Sequence, residues 1–293
     1  RLQEMVASGA CVSPRTSQPR PSMTALQLVP GDYWKVALPP PPPDISFADR
    51  LRLMAVAGDG DVWSSRPAVP LLDVDEAAAA RVTTKLPCPW PETALLSDAL
   101  SKSECARIIS LFEATGGFGT GRAVASGPES VRRNDVLVWV APPETVAALW
   151  KRIRPAVAEV SSGANGLNAR MRCYRYGPGQ AFLPHHDASQ LSTVLRDGTL
   201  HEVPGRRSRL SCLIYLNGDD VMAADGDGEP DALTFTGGAT ALLPNGENGA
   251  PARVHPHTGS VLIFPHGDHP RSLLHAGEEV HRGTKYVIRT DVF

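Results

Sequence analysis

Two histidines, an aspartate and a lysine in the C-terminal half of the chain could hold and use a metal ion. Side chains alternate faces in an extended segment, so His185 and Asp187 should point the same way and chelate one cation. His275, which follows the strand-like run 260–264, could supply a second imidazole, and Lys285 adds a cation nearby. Two histidines and one carboxylate leave part of the coordination sphere open, which is typical of non-haem Fe(II) oxygenases rather than closed structural zinc sites.

Neighbouring histidines have competing interpretations. His186 lies between the two candidate ligands and should face the opposite side of the strand, where it would pack or form a hydrogen bond. A second His-x-Asp triplet at 266–268 is flanked by Pro265 and Pro270, so we predict a solvent loop over 265–270 instead of a metal site. Any one of these residues would more often be structural, and only the combination favours a metal centre.

Short apolar runs separated by turn residues indicate a strand-rich fold. One helix should open on the capping-box pair Ser101 and Glu104, and a second should run over 143–160 with a kink at Pro155. The predicted class is α+β and β-rich, with a barrel-like core buttressed by these N-terminal helices. Strands are predicted at about 170–176, 181–187, 209–216, 232–235, 239–243, 260–264, 272–275 and 284–292.

From about residue 92 to its end, the chain resembles the prolyl 4-hydroxylase family. The closing run 283–292 is similar to the last core strand of that family, and the segment 100–105 resembles its opening helix. Five further motifs occur in the family's order: YGPGQ (176–180), PHHD (184–187), LIYLN (213–217), GGAT (237–240) and LHAG (274–277).

The resemblance implies a double-stranded β-helix, or jelly roll, that holds Fe(II) through His185, Asp187 and His275. Family relatives that halogenate carry a small residue at the position of the aspartate, so the carboxylate of Asp187 favours hydroxylation. The family also implies that O2 takes the last position on the iron and that ascorbate keeps the iron reduced.

The resemblance further implies 2-oxoglutarate as the cosubstrate. Lys285 matches the family position that pairs with the far carboxylate of 2-oxoglutarate, and a buried ammonium is favourable there because each charge compensates the other. Tyr215 matches a tyrosine whose hydroxyl reaches the same carboxylate, and Tyr176 is expected to line the site.

Length and composition suit one catalytic domain with an extension. With 293 residues, the chain has room for a domain of about 200 residues and little more. We predict an N-terminal extension over 1–91, partly irregular, and a prolyl 4-hydroxylase-like domain over 92–293, with its metal and cosubstrate core at 167–293. The five-proline run 39–43 must be extended polyproline II. It is interpreted as a stiff linker, with a docking strip for a partner as the alternative.

Two segments are predicted to be long loops that influence substrate choice. The first, 188–208, directly follows the candidate ligands and is either a lid over the substrate or a solvated insertion. The second, 218–231, is rich in acidic residues. Pro230 stands where a helix-loop-helix calcium loop needs glycine, so we favour a solvated acidic loop over a calcium site and leave recognition of a basic peptide open.

Charge, hydropathy and cysteine content limit the partners and the cellular compartment that we expect for the protein. A formal net charge of −2 with no sustained basic patch argues against nucleic acid as the main partner. No run of about 18 apolar residues occurs, so we expect a soluble protein without a membrane span. Five cysteines without a C-x-x-C pair indicate reduced thiols in a reducing compartment. Residues 1–30 faintly resemble an organellar transit segment, but the sequence begins with Arg1, so the compartment stays open.

The function predicted from the resemblance is 2-oxoglutarate- and Fe(II)-dependent hydroxylation of an unactivated C–H bond, with succinate and CO2 as coproducts. Peptidyl proline is the leading substrate. A small-molecule or free amino-acid hydroxylase is the first alternative, because the motifs bind iron and cosubstrate rather than the group oxidised. A non-enzymatic metal-binding or docking protein is the second, and Lys285 and Tyr215 argue against it.

Overall fold

The structure is a computed structural model that describes nine parts of the chain. The proline run 39–43, the segment 1–30 and all but the first residue of the acidic segment 218–231 lie outside them, so the predictions made there stay predictions. The described residues are 31–36, 62–67, 69–73, 85–86, 90, 92–120, 132–218, 234–243 and 251–293.

Strands dominate the described residues. Each predicted strand overlaps an observed one, which confirms the strand-rich class. The two helices are α1 (Lys102–Thr115) and α2 (Pro143–Val160). The strands are β1 (Tyr33–Lys35), β2 (Val62–Ser65), β3 (Lys85–Leu86), β4 (Ala94–Leu96), β5 (Gly119–Thr120), β6 (Arg132–Arg133), β7 (Asp135–Val140), β8 (Arg170–Tyr176), β9 (Ala181–His185), β10 (Leu191–Arg196), β11 (Thr199–Arg207), β12 (Leu210–Tyr215), β13 (Phe235–Gly237), β14 (Thr240–Leu243), β15 (Ala252–Val254), β16 (Val261–Pro265), β17 (Leu274–Gly277), β18 (Val280–Gly283) and β19 (Lys285–Val292).

Two sheets carry the core. The larger runs in the order β1-β2-β7-β8-β19-β12-β16-β4-β3, with β5 also paired to β7, and the smaller runs β15-β14-β17-β9-β6. The side chains of β12 alternate between the two faces of the larger sheet. Cys212 and Ile214 pack with the helices, whereas Leu213 and Tyr215 pack towards the smaller sheet. Helices therefore cover one face of the larger sheet and the smaller sheet covers the other, which is the predicted jelly-roll arrangement.

The two helices are fixed to each other by a buried ion pair. Ser101 and Glu104 form the predicted capping box at the start of α1, and Gly116 ends that helix in the left-handed conformation. The Glu104 carboxylate also accepts from the Arg152 guanidinium of α2, with Nη2 2.6 Å from Oε1. The second helix continues through Pro155 as one element.

Two predicted loops are corrected by the structure. The segment 188–208 is a β-hairpin, because β10 and β11 pair antiparallel around a tight turn at Asp197 and Gly198. Both turn residues have positive φ, 49° and 74°, as type I′ hairpin turns require. The prediction of a solvent loop over 265–270 is wrong for its first two residues, since Pro265 ends β16 and His266 is buried at 1% exposure.

Part of the predicted extension joins the main sheet. Strand β2 pairs in parallel with β7, and β1 pairs antiparallel with β2, so both lie at one edge of the larger sheet. Val36 and Val62 pack there with Val138, Val140 and Leu200. The boundary at residue 92 remains a prediction, but residues on its N-terminal side contribute to the same sheet.

Candidate metal and cosubstrate site

Neighbouring strands of the smaller sheet bring the candidate ligands together. His185 ends β9 and lies opposite His275 of β17 in the register of that pair. Asp187 lies two residues beyond the end of β9, so the predicted strand 181–187 is shorter than expected. Ligand atoms of the three residues all lie within 4.8 Å of one another, and they form the one such group in the described ranges. Nε2 of His185 is 3.6 Å from Oδ1 of Asp187, and Nε2 of His275 is 3.6 Å from Oδ2.

Backbone carbonyls orient both imidazoles. Nδ1 of His185 lies 2.8 Å from the carbonyl oxygen of Leu183, and Nδ1 of His275 lies 3.1 Å from that of Leu273. A carbonyl can only accept, so each Nδ1 carries the proton and each Nε2 presents its lone pair to the cavity. Phe182 stacks on the His185 ring with centroids 3.5 Å apart, which restricts the rotation of this imidazole.

The electrostatics keep the ligands in the protonation states that bind metal. Burial lowers the pKa of His275 to about 4, although Asp187 opposes the shift, so this ring is neutral near pH 7. Burial alone would raise the pKa of the Asp187 carboxyl. The Arg289 guanidinium, with His275 and His185, instead holds that pKa well below its usual range, so the group is a carboxylate.

Two of the predicted cosubstrate residues, Lys285 and Tyr176, line the same cavity as the candidate ligands. Lys285 is 3% exposed, and its Nζ donates to the carbonyl oxygen of Gly238 at 2.6 Å. The same ammonium lies 5.5 Å from the ring centroid of Tyr176 and 5.6 Å from that of Tyr215. The Tyr215 hydroxyl is 2.7 Å from Oγ1 of Thr240, and burial raises its pKa. A neutral phenol beside the buried ammonium can act as a hydrogen-bond donor.

A cavity that is partly open to solvent contains this arrangement. The structure places five of the six predicted site residues in its lining, and Tyr215 lies behind Thr240, which lines it. The lining residues are Tyr174, Tyr176, Phe182, His185, Asp187, Leu213, Thr240, His275, Ala276, Gly277, Lys285, Val287 and Arg289.

Sequence reasoning missed two groups that contact Asp187. Ser211 Oγ donates to Oδ2 at 2.5 Å, and Arg289 Nε lies 3.0 Å from the same oxygen as an ion pair. Arg289 had a readable signal, because it is four residues beyond Lys285 in one strand and therefore faces the same side. The competing triplet does not form a site: Asp268 is exposed, and the buried His266 bonds to serine hydroxyls instead.

Three of the five cysteines and His186 lie in the described part of the chain. Cys105, Cys173 and Cys212 are buried free thiols, and burial raises the pKa of each. His186 is exposed, and its Nδ1 lies 3.4 Å from the hydroxyl of Ser272, on the far side of the segment from the cavity. None of the described helices is long and apolar enough to cross a membrane.

The donor set fits Fe(II), because two imidazoles and one carboxylate form the two-histidine, one-carboxylate set that leaves positions open. Comparison with known protein families agrees: residues 171–290 match the model described as the 2OG-Fe(II) oxygenase superfamily. This range includes every candidate ligand and cosubstrate residue. A comparison with curated proteins found no match.

Solved structures similar to this chain include three prolyl hydroxylases. A Pseudomonas putida prolyl-4-hydroxylase is 16% identical, with 74% of this chain and 96% of that chain covered and a TM-score of 0.44. A viral collagen prolyl hydroxylase from Paramecium bursaria Chlorella virus-1, in a 2OG complex, is 19% identical, with 70% and 97% covered and a TM-score of 0.45. A Trichoplax adhaerens prolyl hydroxylase, in complex with a hypoxia inducible factor peptide fragment, is 15% identical, with 69% and 83% covered and a TM-score of 0.46.

Proposed function

We propose that this chain is a 2OG-Fe(II) oxygenase, as the match of residues 171–290 to the model of that superfamily indicates, and that it hydroxylates an unactivated C–H bond of peptidyl proline. Succinate and CO2 are the proposed coproducts of 2-oxoglutarate. The observation that carries the proposal is the convergence of His185, Asp187 and His275 in a cavity that Lys285 also lines.

Different residues of the cavity would bind the metal and the cosubstrate. His185, Asp187 and His275 would hold Fe(II), and Lys285 would bind the far carboxylate of 2-oxoglutarate. When bound, Fe(II) with 2-oxoglutarate supplies the redox chemistry that activates O2, and the protein positions the reactants. Ascorbate is the proposed reductant that maintains the ferrous state.

Lys285 is poised for an anionic ligand. Its ammonium is buried in the lining of the cavity, where Nζ donates to the carbonyl oxygen of Gly238 at 2.6 Å. A carboxylate that enters the cavity would gain a charge-assisted hydrogen bond from this ammonium. This supports an enzyme over a docking protein with a vestigial metal, since docking alone needs no cation in the cavity.

The choice of peptidyl proline rests on the resemblance to the prolyl 4-hydroxylase family and on the apolar residues beside the ligands. Phe182 and Leu183 of β9 border the candidate ligands, and Leu183 is 39% exposed. An apolar, accessible edge suits a prolyl ring carried on a chain better than a charged free amino acid. Free amino acids and other small molecules remain the alternative class.

Two assays test the proposal in sequence. Purified protein, Fe(II) and 2-oxoglutarate are first mixed without oxygen, and a visible charge-transfer band is expected from the wild type but not from His275→Ala. Absence of the band in the wild type would contradict the enzyme assignment.

Proline-rich peptides and a small-molecule panel are then supplied in air with ascorbate. Succinate release together with a one-oxygen gain in peptide mass is expected. Inert peptides beside an oxidised small molecule would move the assignment to the alternative, and omission of ascorbate should shorten the period of turnover.

A further inference from the structure

We propose that Ser211, Arg289 and His266 form a buried clamp on one oxygen of Asp187, and that this clamp positions the carboxylate for the metal. The inference rests on the proposed function for the identity of the metal ligand. It assigns positioning roles to three residues that lie outside the predicted ligand and cosubstrate set.

The two oxygens of the Asp187 carboxylate have different surroundings. Oδ2 receives the hydroxyl of Ser211 at 2.5 Å and lies 3.0 Å from the Arg289 guanidinium. Oδ1 lies 3.6 Å from Nε2 of His185, and Oδ2 lies 3.6 Å from Nε2 of His275, so both oxygens border the ligand cluster. The main chain is fixed as well, since the Asp187 carbonyl accepts from the amide of Gly267 at 2.9 Å. The side chain is therefore held in one orientation beside both imidazoles.

A chain of hydrogen bonds continues behind the clamp, and the role of each atom in it can be assigned. Ser211 Oγ donates its proton to Asp187, so it accepts from Nδ1–H of His266 at 2.8 Å. Nε2 of this neutral ring then accepts from Ser208 Oγ at 2.8 Å. Ser208 Oγ in turn accepts from the amide of Gln190 at 2.9 Å. Every donor finds an acceptor, so the Ser211 hydroxyl stays directed at the carboxylate.

Arg289 supplies the charge of the clamp. It is 7% exposed and lies between two carboxylates, because its Nη2 donates to Oδ1 of Asp291 at 3.0 Å while Nε lies beside Asp187. Two buried carboxylates without this cation would repel each other and pay a desolvation cost.

Metal affinity is the property that the clamp should change. Groups that hydrogen-bond to a metal ligand typically contribute 10- to 100-fold to metal affinity. We therefore expect Ser211→Ala and Arg289→Met to weaken binding of Co(II), used as a spectroscopic substitute for Fe(II), by roughly 10- to 100-fold. Arg289→Lys keeps the charge but not the planar fork, and should fall between Arg289→Met and the wild type.

Two control variants separate the clamp from general loss of packing or charge. Ser260→Ala removes another buried serine hydroxyl, one that donates to the carbonyl of His257 in a turn. Arg175→Met removes another arginine paired with two carboxylates, those of Asp135 and Glu113, on the helix side of the larger sheet. Both should bind Co(II) as tightly as the wild type, whatever they lose in stability.

The outcomes distinguish this inference from the function on which it rests. Wild-type protein that binds neither Co(II) nor Fe(II) would overturn the proposed function. Tight wild-type binding that persists unchanged in folded Ser211→Ala and Arg289→Met would overturn the clamp alone. If those two variants do not fold, Arg289→Lys and Ser208→Ala decide, and unchanged Co(II) affinity in both would overturn the clamp.

Discussion

Lys285 is the residue that we propose binds the far carboxylate of the cosubstrate. Replacing Lys285 by Met should weaken 2-oxoglutarate binding by about 2 kcal/mol or more, roughly 30-fold, because a buried carboxylate would lose its counter-charge. Binding of the metal itself should change little, since the ammonium contacts Gly238 and the two tyrosine rings rather than the ligands. Titration of the anaerobic charge-transfer band with 2-oxoglutarate measures the change.

Lys102→Met is the matched control for Lys285→Met. Lys102 is an exposed residue in the first turn of α1, and its loss should leave the titration unaltered. Equal 2-oxoglutarate affinity in Lys285→Met and the wild type would show that another group binds the cosubstrate.

The residues that sequence reasoning identified are those whose signal is local. His185 and Asp187 lie two residues apart in one motif, and Lys285 follows His275 by ten residues. The contact between Ser211 and Asp187 could not be predicted, because the two residues are 24 positions apart in the sequence. The sequence around a serine in a strand does not indicate its hydrogen-bond partner. His266 was misjudged because the turn formers around it predict exposure, whereas Pro265 completes a buried strand and the imidazole turns inwards.

Among the elements, the two helices depend on the buried pair of Glu104 and Arg152. Glu104→Gln should lower the free energy of unfolding by about 3 kcal/mol, because Arg152 would keep its charge in a buried site without a carboxylate. Glu278→Gln, which removes an exposed pair with Arg253, should cost about 1 kcal/mol or less. Urea unfolding at pH 7 measures both, and equal small losses would contradict a structural role for the buried pair.

The same pair gives a pH dependence with a defined sign. Burial would raise the pKa of Glu104, but hydrogen bonds from Arg152, Ser101 and Asp73 hold it below its ordinary value of 4.5. The folded pKa is therefore below the unfolded one. The Glu104 carboxylate therefore contributes its full stabilisation above about pH 4.5, and this contribution is lost as the pH falls through the folded pKa. As the pH falls from 5 to 3, the free energy of unfolding should decrease by less for Glu104→Gln than for the wild type. Parallel plots of unfolding free energy against pH for the two proteins would contradict this.

The β10–β11 hairpin is anchored at its base by Asn168. Its Oδ1 accepts from the amide and the hydroxyl of Thr193, and its Nδ2 donates to the carbonyl of Leu191. Asn168→Ala should cost about 1–2 kcal/mol in local opening, because buried polar groups would lose their partners. Trypsin should then cut the exposed hairpin arginines about ten times faster.

Asn165→Ala is the matched control for the hairpin. It removes a single exposed contact with Arg206 and should leave the cleavage rate near that of the wild type. Unchanged cleavage in Asn168→Ala would mean that other contacts hold the hairpin. The lid over the substrate stays a prediction, and protection from trypsin by 2-oxoglutarate and peptide would support it.

The sequence patterns predicted strands more reliably than they predicted the hairpin. The predicted strands came from apolar runs bounded by turn residues, and these were placed within a few positions. The hairpin carried its own signal, Asp197-Gly198, which was overlooked because the arginines around it read as a solvated segment. Strand β7 was missed for another reason: its run is buried without alternation, and such runs do not distinguish a strand from a buried helical segment.

At the scale of the whole molecule, pairing between distant segments determines where the catalytic fold begins. Strand β2 lies about 70 residues before β7, and parallel partners so far apart leave no local pattern to read. The family resemblance begins near residue 92 and so could not include these strands. Their apolar side chains nevertheless pack against β7 and against Leu200, which lies next to the turn of the hairpin.

Truncation tests whether the boundary at residue 92 describes an independent unit. A chain that begins at residue 92 loses β1, β2 and β3, exposes the edge of β7 and removes Val36 and Val62 from their cluster. Burial of each valine contributes about 1.5–3 kcal/mol, so unfolding free energy should fall by about 3–6 kcal/mol. A chain that begins at residue 31 keeps these strands and should match the full chain in urea unfolding. Equal midpoints for all three chains would establish 92–293 as self-sufficient, because the β7 edge would then need no cover.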